Sequence, residues 1–295
     1  MILASSLPSN LRSWTQELCR QYGIRAGQRM GQHFLVDRRV LAEMVAAADL
    51  DTSLPVLEVG GGFGVLTLAL LEAGCRVVVV ELDRRLAEGL RKLGAAGGRL
   101  TVLEGDVLKF RPPELAAALG QPRFHAVANL PYEITGKFLE QFTWGAVTPE
   151  RLTLLLQREV AERLCARPGS MSLLALSCQL KTSPRVVRFV PPAAFLPPPK
   201  VTSAIVRFDR LGEGAYAARL GEVRERDLWR VARIGFAARR KVLAGNLAAA
   251  LPIPKAEVAE LLVSLGYPAK VRAQELAPDH WIQLTSLLSP FLRGP

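Results

Sequence analysis

From residue 56 onward, short apolar runs alternate with segments whose apolar residues recur every three or four positions. Val56–Val59, Arg76–Glu81, Leu100–Leu103, Phe124–Ala128 and Leu152–Gln157 read as buried strands. Between and after them, Leu66–Glu72, Arg84–Leu93, Thr135–Phe142 and Arg158–Ala166 carry helical spacing. Strands separated by helices, with little room for hairpins, predict an α/β fold: a mostly parallel, twisted sheet covered on both faces. Ser203–Phe208 (SAIVRF) alternates more than it runs, which predicts a late antiparallel strand at or near an edge. The Pro-rich stretch Pro191–Pro199 can be neither a helix nor a central strand.

After Leu211 the pattern changes. Gly212–Gly221 is rich in Gly and Ala and reads as a linker, and helical periodicity follows over residues 225–250, 255–265 and, more weakly, 278–288. The predicted organisation is a larger α/β domain over residues 1–211 and a small all-helical domain over 212–295, without internal repeats.

Composition changes this picture in one respect. The net charge of +11 is unevenly placed. Residues 1–40 carry six Lys/Arg against two Asp/Glu, residues 51–150 ten against twelve, residues 181–210 six against one, and residues 211–295 twelve against eight. The middle is slightly acidic and the flanks are basic, the footprint of a nucleic-acid partner. No uncharged run approaches the roughly 18 residues of a membrane span. The N-terminal MILASSLPSNLRSW lacks the basic start and long apolar stretch of a secretory signal. Cys19, Cys75, Cys165 and Cys178 are widely spaced, with no C-x-x-C pair, so reduced thiols in a cytoplasmic protein without a metal site are expected.

Three strand ends carry candidate chemistry. Glu58–Gly64 (EVGGGFG) follows the first strand and opens a helix, where glycines let the backbone approach a ligand closely. The second strand ends in Glu81, suited to two ribose hydroxyls, and the third is followed by Gly105-Asp106, suited to an adenine amino group. A glycine loop alone also serves dinucleotide enzymes or a plain tight turn. The set of three points to an adenosine-containing cofactor, and the loop is shorter than the G-x-G-x-x-G of a dinucleotide site.

The fourth strand runs into Asn129-Leu130-Pro131-Tyr132. An exocyclic adenine amine is a poor nucleophile because its lone pair is delocalised into the ring. The Asn129 side-chain oxygen and the Leu130 or Pro131 carbonyl can accept its hydrogens, and Tyr132 can stack on the base, so that the lone pair is aimed at an electrophilic methyl. This motif resembles that of amino-group methyltransferases. In the form Asn-Leu-Pro-Tyr it resembles the small-subunit ribosomal RNA adenine N6,N6-dimethyltransferase family, which modifies two adjacent adenines near the 3′ end of that RNA. Gly31–Leu35 (GQHFL), the Glu58–Gly64 loop, Gln157–Ala161 (QREVA), Phe195–Ser203 (FLPPPKVTS) and Phe236–Lys241 (FAARRK) extend the resemblance in family order.

The resemblance implies a Rossmann-like class I methyltransferase fold and S-adenosylmethionine as cofactor. It implies that His33 and Leu35 close over that cofactor, with Gly60, Gly62, Glu81, Asp106 and Asn129 completing the site. Phe195 is implied to face Tyr132 across a flipped or unpaired base. The partner implied is small-subunit ribosomal RNA or a pre-30S particle, with a part in subunit biogenesis. Nothing in the chain demands more than a monomer. His33 stands where the family more often has Asn, Gly60-Gly61-Gly62 where Gly-Pro-Gly is commoner, and residues 167–174 lack the usual Tyr-Gly pair. The erythromycin-resistance type of large-subunit methyltransferase is the alternative, and a non-catalytic assembly factor on the same fold is another.

Basic residues are the candidate RNA contacts. Arg233, Arg239, Arg240 and Lys241 fall in a predicted helical region, mostly on one broad face. With Lys200, Arg25, Arg29, Lys181, Arg185 and Arg188, they are expected to grip phosphates, which positions RNA without specifying it.

Overall fold

The computed structural model describes residues 6–24, 33–94, 98–238 and 240–292. Arg25, Arg29, Gly31, Gln32 and Arg239, singled out above, lie outside the described residues. The chain divides into two compact units, Met1–Ala161 with Pro184–Arg210, and Glu162–Ser183 with Leu211–Pro295.

The strands, in chain order, are β1 (Phe34–Leu35), β2 (Val56–Val59), β3 (Val77–Glu81), β4 (Leu100–Glu104), β5 (His125–Asn129), β6 (Arg151–Gln157), β7 (Thr182–Val190), β8 (Phe195–Leu196) and β9 (Ser203–Arg210). Seven of them form one sheet in the order β4-β3-β2-β5-β6-β9-β7, while β1 pairs antiparallel with β8. The first five strands of that order are parallel, and β9 runs antiparallel to β6 from Arg151 opposite Asp209 to Gln157 opposite Ser203. The sheet is therefore mostly parallel, as the alternation of strands and helices requires.

Burial explains why these residues form these strands. Val56, Leu57 and Val77–Val79 have no solvent exposure, because helices cover both faces, and β-branched residues suit such positions. The helix Val65–Glu72 (VLTLALLE) buries Val65 through Leu70, so it shows no amphipathic stripe. The helix Arg38–Ala48 starts at Asp37, whose carboxylate accepts the backbone N–H groups of Arg39 and Val40 at 2.8 and 3.2 Å.

The chain goes from β2 outward through β3 to β4, then crosses back to place β5 on the other side of β2. Ligands in open α/β sheets bind outside the carboxyl ends of the strands where the order reverses in this way. Here that crevice lies between Gly60, just after β2, and Asn129, which ends β5.

Three features differ from the sequence reading. First, β7 is a nine-residue edge strand inside a stretch that had no assignment. Second, the expected linker Gly212–Gly221 contains a helix, Glu213–Leu220. Its Ala, Leu and Arg residues are good helix formers, and tertiary contacts secure it. The Arg219 guanidinium donates to the carbonyls of Gln179 and Leu180 at 2.8 and 3.0 Å, and Lys181 sits 4.8 Å from the Tyr216 ring centroid. Third, residues 162–183, expected in the α/β domain, group with the helical unit. The N–H groups of Gly169 and Met171 donate to the Gln274 carbonyl, and Met171, Leu176 and Cys178 are buried.

Within the helical unit, Trp281 is fully buried and stacks on Phe236, with ring centroids 5.1 Å apart. The predicted helix over 225–250 is two helices, Glu225–Phe236 and Leu243–Ala248. Asn246 closes the break, donating from Nδ2 to the carbonyls of Gly235 at 2.7 Å and Ala238 at 3.2 Å. A Cβ on Gly235 would lie 2.5 Å from Trp281 Cη2 and 2.9 Å from Leu243 Cδ1, whereas one on Gly214 would meet nothing within 4 Å. We expect Gly235→Ala to destabilise the protein by about 1–3 kcal/mol through overpacking. Gly214→Ala should leave stability unchanged or raise it by up to ~1 kcal/mol. Urea unfolding of the two variants measures the difference, and equal effects would show that the Trp281 contact does not constrain position 235.

Candidate active site

The crevice after β2 and β5 is a cavity of about 470 Å³, in the size range of small-molecule sites. Its walls include His33, Leu35, Gly60, Gly62, Glu81, Asp106, Asn129, Leu130, Pro131 and Tyr132. Residues spread over a hundred positions of sequence thus meet in one place.

The glycine loop makes its turn with positive φ at Gly60 (75°), Gly62 (55°) and Gly64 (84°), which explains the residue type. The Gly62 N–H donates to Glu81 Oε2 at 2.9 Å, and the Asp83 N–H donates to Oε1 at 2.9 Å. Each oxygen of the nearly buried Glu81 carboxylate keeps a lone pair for a further donor. Burial pushes the Glu81 carboxyl above its ordinary value, with the N–H groups of Asp83 and Gly62 working in the opposite direction. Asp106 uses Oδ1 to accept the Leu108 N–H at 3.0 Å, capping the short turn Val107–Lys109, and retains Oδ2.

Asn129 donates from Nδ2 to the His33 carbonyl at 2.9 Å. That contact sets the amide so that Oδ1 is the acceptor this side chain offers the cavity. The hydroxyl of Tyr132 lies 2.9 Å from Ser203 Oγ, which holds the half-buried ring in place. Burial raises the Tyr132 phenol above its ordinary value, so it stays neutral at physiological pH. The His33 ring lies 6.0 Å from the Tyr132 ring at an angle of 31°, and its Nδ1 is 2.8 Å from the Pro197 carbonyl. Because a carbonyl only accepts, Nδ1 carries the proton.

Phe195 is not among the residues lining the cavity that holds Tyr132. It is 1% exposed and packs in the core with Leu35, Val190, Ala194 and Ile205. The β1–β8 pairing sets Leu35 against Phe195, and strand alternation then turns the Phe195 ring inward. The ring beside Tyr132 is that of His33. Among the basic residues, Lys200 is exposed in the loop before β9. Arg233 is exposed in the last turn of the helix Glu225–Phe236, whereas Arg240 and Lys241 are exposed in the turn after it, so the expected helix face is only partly helical. Lys181 is engaged with Tyr216 and Glu225, Arg185 with Asp209 and Arg188 with Glu43.

The family model for ribosomal RNA adenine dimethylase matches residues 24–287. A Ribosomal RNA small subunit methyltransferase A from Dehalococcoides mccartyi is 38% identical over 283 residues, covering 96% of this chain and 95% of the relative. The chain belongs to the ribosomal RNA adenine dimethylase family. A crystal structure of a dimethyladenosine transferase from Plasmodium falciparum superposes with a TM-score of 0.73 at 26% identity, covering 88% of this chain and 98% of that one. The 23S rRNA methyltransferase ErmE superposes with a TM-score of 0.69 at 27% identity, covering 87% and 99%. As a dimethylase of this family the chain is an rRNA adenine N6-methyltransferase with S-adenosylmethionine as its methyl donor.

The cavity of this dimethylase fits such a donor. Glu81 and Asp106 retain free acceptor capacity, as described, and a third acid adds to them. Glu58 is 1% exposed in the cavity wall, and its Oε2 accepts from Thr67 Oγ1 at 2.6 Å. Its Oε1 has no hydrogen-bond partner, an arrangement that awaits a donor. Sequence reasoning quoted Glu58 and Ser203 only as parts of motifs and gave neither a role. For Glu58 a signal existed, since an acid within an apolar buried strand needs a reason. For Ser203 there was none, because its partner Tyr132 is distant in sequence.

Burial pushes the Glu58 carboxyl from its ordinary 4.5 up to about 8, with the Thr67 hydrogen bond opposing. The folded state therefore keeps a proton that the unfolded chain has lost between those two values. The stability this group contributes is fully present below pH 4.5 and declines as pH rises to about 8. We expect the cofactor-free protein to lose urea stability between pH 5 and pH 8, and Glu58→Gln to flatten that part of the profile. A variant with an unchanged slope would show that Glu58 ionises freely in the folded state.

Proposed function

We propose that this dimethylase transfers two methyl groups to the N6 of each of two adjacent adenosines near the 3′ end of small-subunit (16S) ribosomal RNA. The observation that carries this reading is the meeting of the Asn129–Tyr132 turn with the Gly60 loop, Glu81 and Asp106 in one cavity. The Dehalococcoides mccartyi relative, at 38% identity, is named as a small-subunit enzyme, whereas ErmE, at 27%, is a 23S enzyme.

In this reading Glu81 binds the ribose hydroxyls of the cofactor, Asp106 its adenine amino group, and Glu58 Oε1 its ammonium group. The Gly60–Gly62 backbone approaches it closely, with His33 and Leu35 closing the other side. When bound, S-adenosylmethionine supplies a methyl group activated by its sulfonium charge. Asn129 Oδ1 and the carbonyl of Leu130 or Pro131 accept the two hydrogens of the target amine. This withdraws the nitrogen lone pair from the ring and directs it at the methyl, catalysis by orientation and preorganised acceptors. Tyr132, steadied by Ser203, stacks on the base. The amine proton passes to water after transfer, so no strong general base is needed. Phe195 lies in the buried core, and His33 is the aromatic ring beside Tyr132.

The helical unit, with Arg239, Arg240 and Lys241, and the loop residue Lys200 bind RNA phosphates in this reading. Such contacts position the RNA, so the target is chosen by shape, in a partly assembled small-subunit particle. The enzyme then acts in the cytoplasm during subunit biogenesis. One chain supplies every group of the cavity, which suits a monomer.

The test is incorporation of radiolabelled methyl groups into unmethylated small subunits, large-subunit RNA and duplex DNA, followed by nucleoside analysis. We expect N6-dimethyladenosine in the small subunit alone, and Asn129→Ala to lower the rate by about 100-fold or more. Label confined to large-subunit RNA would replace this reading with the ErmE-like one.

A further inference from the structure

Three of the large apolar side chains left exposed among the described residues lie on one side of the catalytic unit. Val187, Phe189 and Val201 are 39%, 43% and 44% exposed. On the edge strand β7, Ser183, Arg185, Val187 and Phe189 alternate outward as one stripe. The guanidinium carbon of Arg158 lies 4.8 Å from the Phe189 ring centroid. Arg158 itself is exposed, so an aromatic ring and a planar cation together form a flat surface open to solvent.

That surface adjoins the catalytic turn. The Arg158 N–H donates to the Thr202 carbonyl at 2.9 Å, the next residue Ser203 pairs with Gln157, and Ser203 Oγ bonds the Tyr132 hydroxyl. Lys200 and Val201 precede Thr202 and are exposed. Along β7 at about 3.3 Å per residue, Arg185 lies four residues from Phe189. Its side chain is 59% exposed, with Asp209 at 4.0 Å. The acids of this stretch are Glu159 and Glu162, exposed in the helix that begins at Arg158, with Asp209 and Glu43, the partners of Arg185 and Arg188; the cations are Arg158, Arg185, Arg188 and Lys200.

An exposed apolar edge strand also suits addition of a protein strand, but two features oppose that here. Pro184 removes a backbone donor, and an outward charge such as Arg185 is a known way of blunting an edge. Cations interleaved with a stacking surface match single-stranded nucleic acid instead.

We propose that Arg158 and Phe189 form a stacking shelf for an unpaired nucleotide neighbouring the methylated adenosine, with Lys200 and Arg185 at the adjoining phosphates. This rests on the RNA-methylating function above and assigns the path of the strand leaving the cavity. The target adenosine enters beside Tyr132, and its neighbour lies on the Arg158 guanidinium, which Phe189 supports from beneath.

The test is the KM for unmethylated small subunits, measured with saturating cofactor at several salt concentrations. Phe189→Ala should raise KM about tenfold, the scale of one lost base stack, while Phe189→Trp stays within about twofold of the parent. Arg158→Lys keeps the charge but loses the planar surface, and should resemble Phe189→Ala. The salt slope of KM should be unchanged in Phe189→Ala, because no phosphate contact is lost, and reduced by about one in Lys200→Ala. Cofactor affinity, measured by calorimetry, should be the same in all four variants and serves as the control for folding. A parent-like KM in Phe189→Ala would overturn the proposal, as would equal losses in Phe189→Ala and Phe189→Trp. A parent-like KM with loss of a dimer in sedimentation would assign the stripe to a second copy of this chain. If the parent enzyme methylated no small-subunit RNA while binding cofactor, the function itself would fail, and this shelf with it.

Discussion

Because β2 pairs in parallel with β5, with Val59 opposite Ala128, the loop leaving one strand and the turn leaving the other open into the same crevice. Parallel strands end at the same side of a sheet, and reversal of the strand order at this pair leaves a gap that no crossover helix fills. The glycine loop, Glu81 and Asp106 lie on one side of the gap, and the Asn129–Tyr132 turn lies on the other. A donor and an acceptor held on these two sides face each other without any segment having to move far. Much of the proposed catalysis is this placement.

The two ends of the sheet handle charge differently. At the end away from the cavity, Arg151 and Arg207 lie within 3.4 Å of Asp49 or Asp209, so opposite charges satisfy one another. At the cavity end, no basic side chain among the described residues pairs with the acids. Glu81 and Asp106 accept backbone N–H groups, and Glu58 accepts a hydroxyl while leaving one oxygen unpartnered. Leaving buried polar atoms incompletely bonded costs stability, typically about 1–3 kcal/mol for each unsatisfied group. That cost falls on the residues proposed to hold the cofactor, as expected where a site is prepared for a ligand.

Much of the catalytic sheet was legible in the sequence. The strands from Val56 to Gln157 are continuous apolar runs because both faces are covered, and their observed limits differ from the sequence reading by only a residue or so. The edge strand β7 was not legible, since Pro184 and two arginines on opposite faces resemble a loop until the neighbouring strand is present. The helix Glu213–Leu220 was hidden by two glycines and depends on partners distant in sequence. Phe195 illustrates a different limit: its motif was recognised, but the direction of its ring is set by pairing with Leu35.

By itself, then, the sequence determined which strands would be buried and parallel, where glycine was needed, and which residue types stood at the strand ends. These follow from local rules: side-chain periodicity, backbone freedom at glycine, and the cost of placing an acid in an apolar strand. Only the tertiary structure decided which of those residues meet. It brought Ser203 to Tyr132, the His33 carbonyl to Asn129 and Arg158 to Phe189, and it moved residues 162–183 into the helical unit. Each of these contacts joins positions that no sequence period relates, and each forms because packing the sheet and its covering helices leaves one arrangement that buries the core.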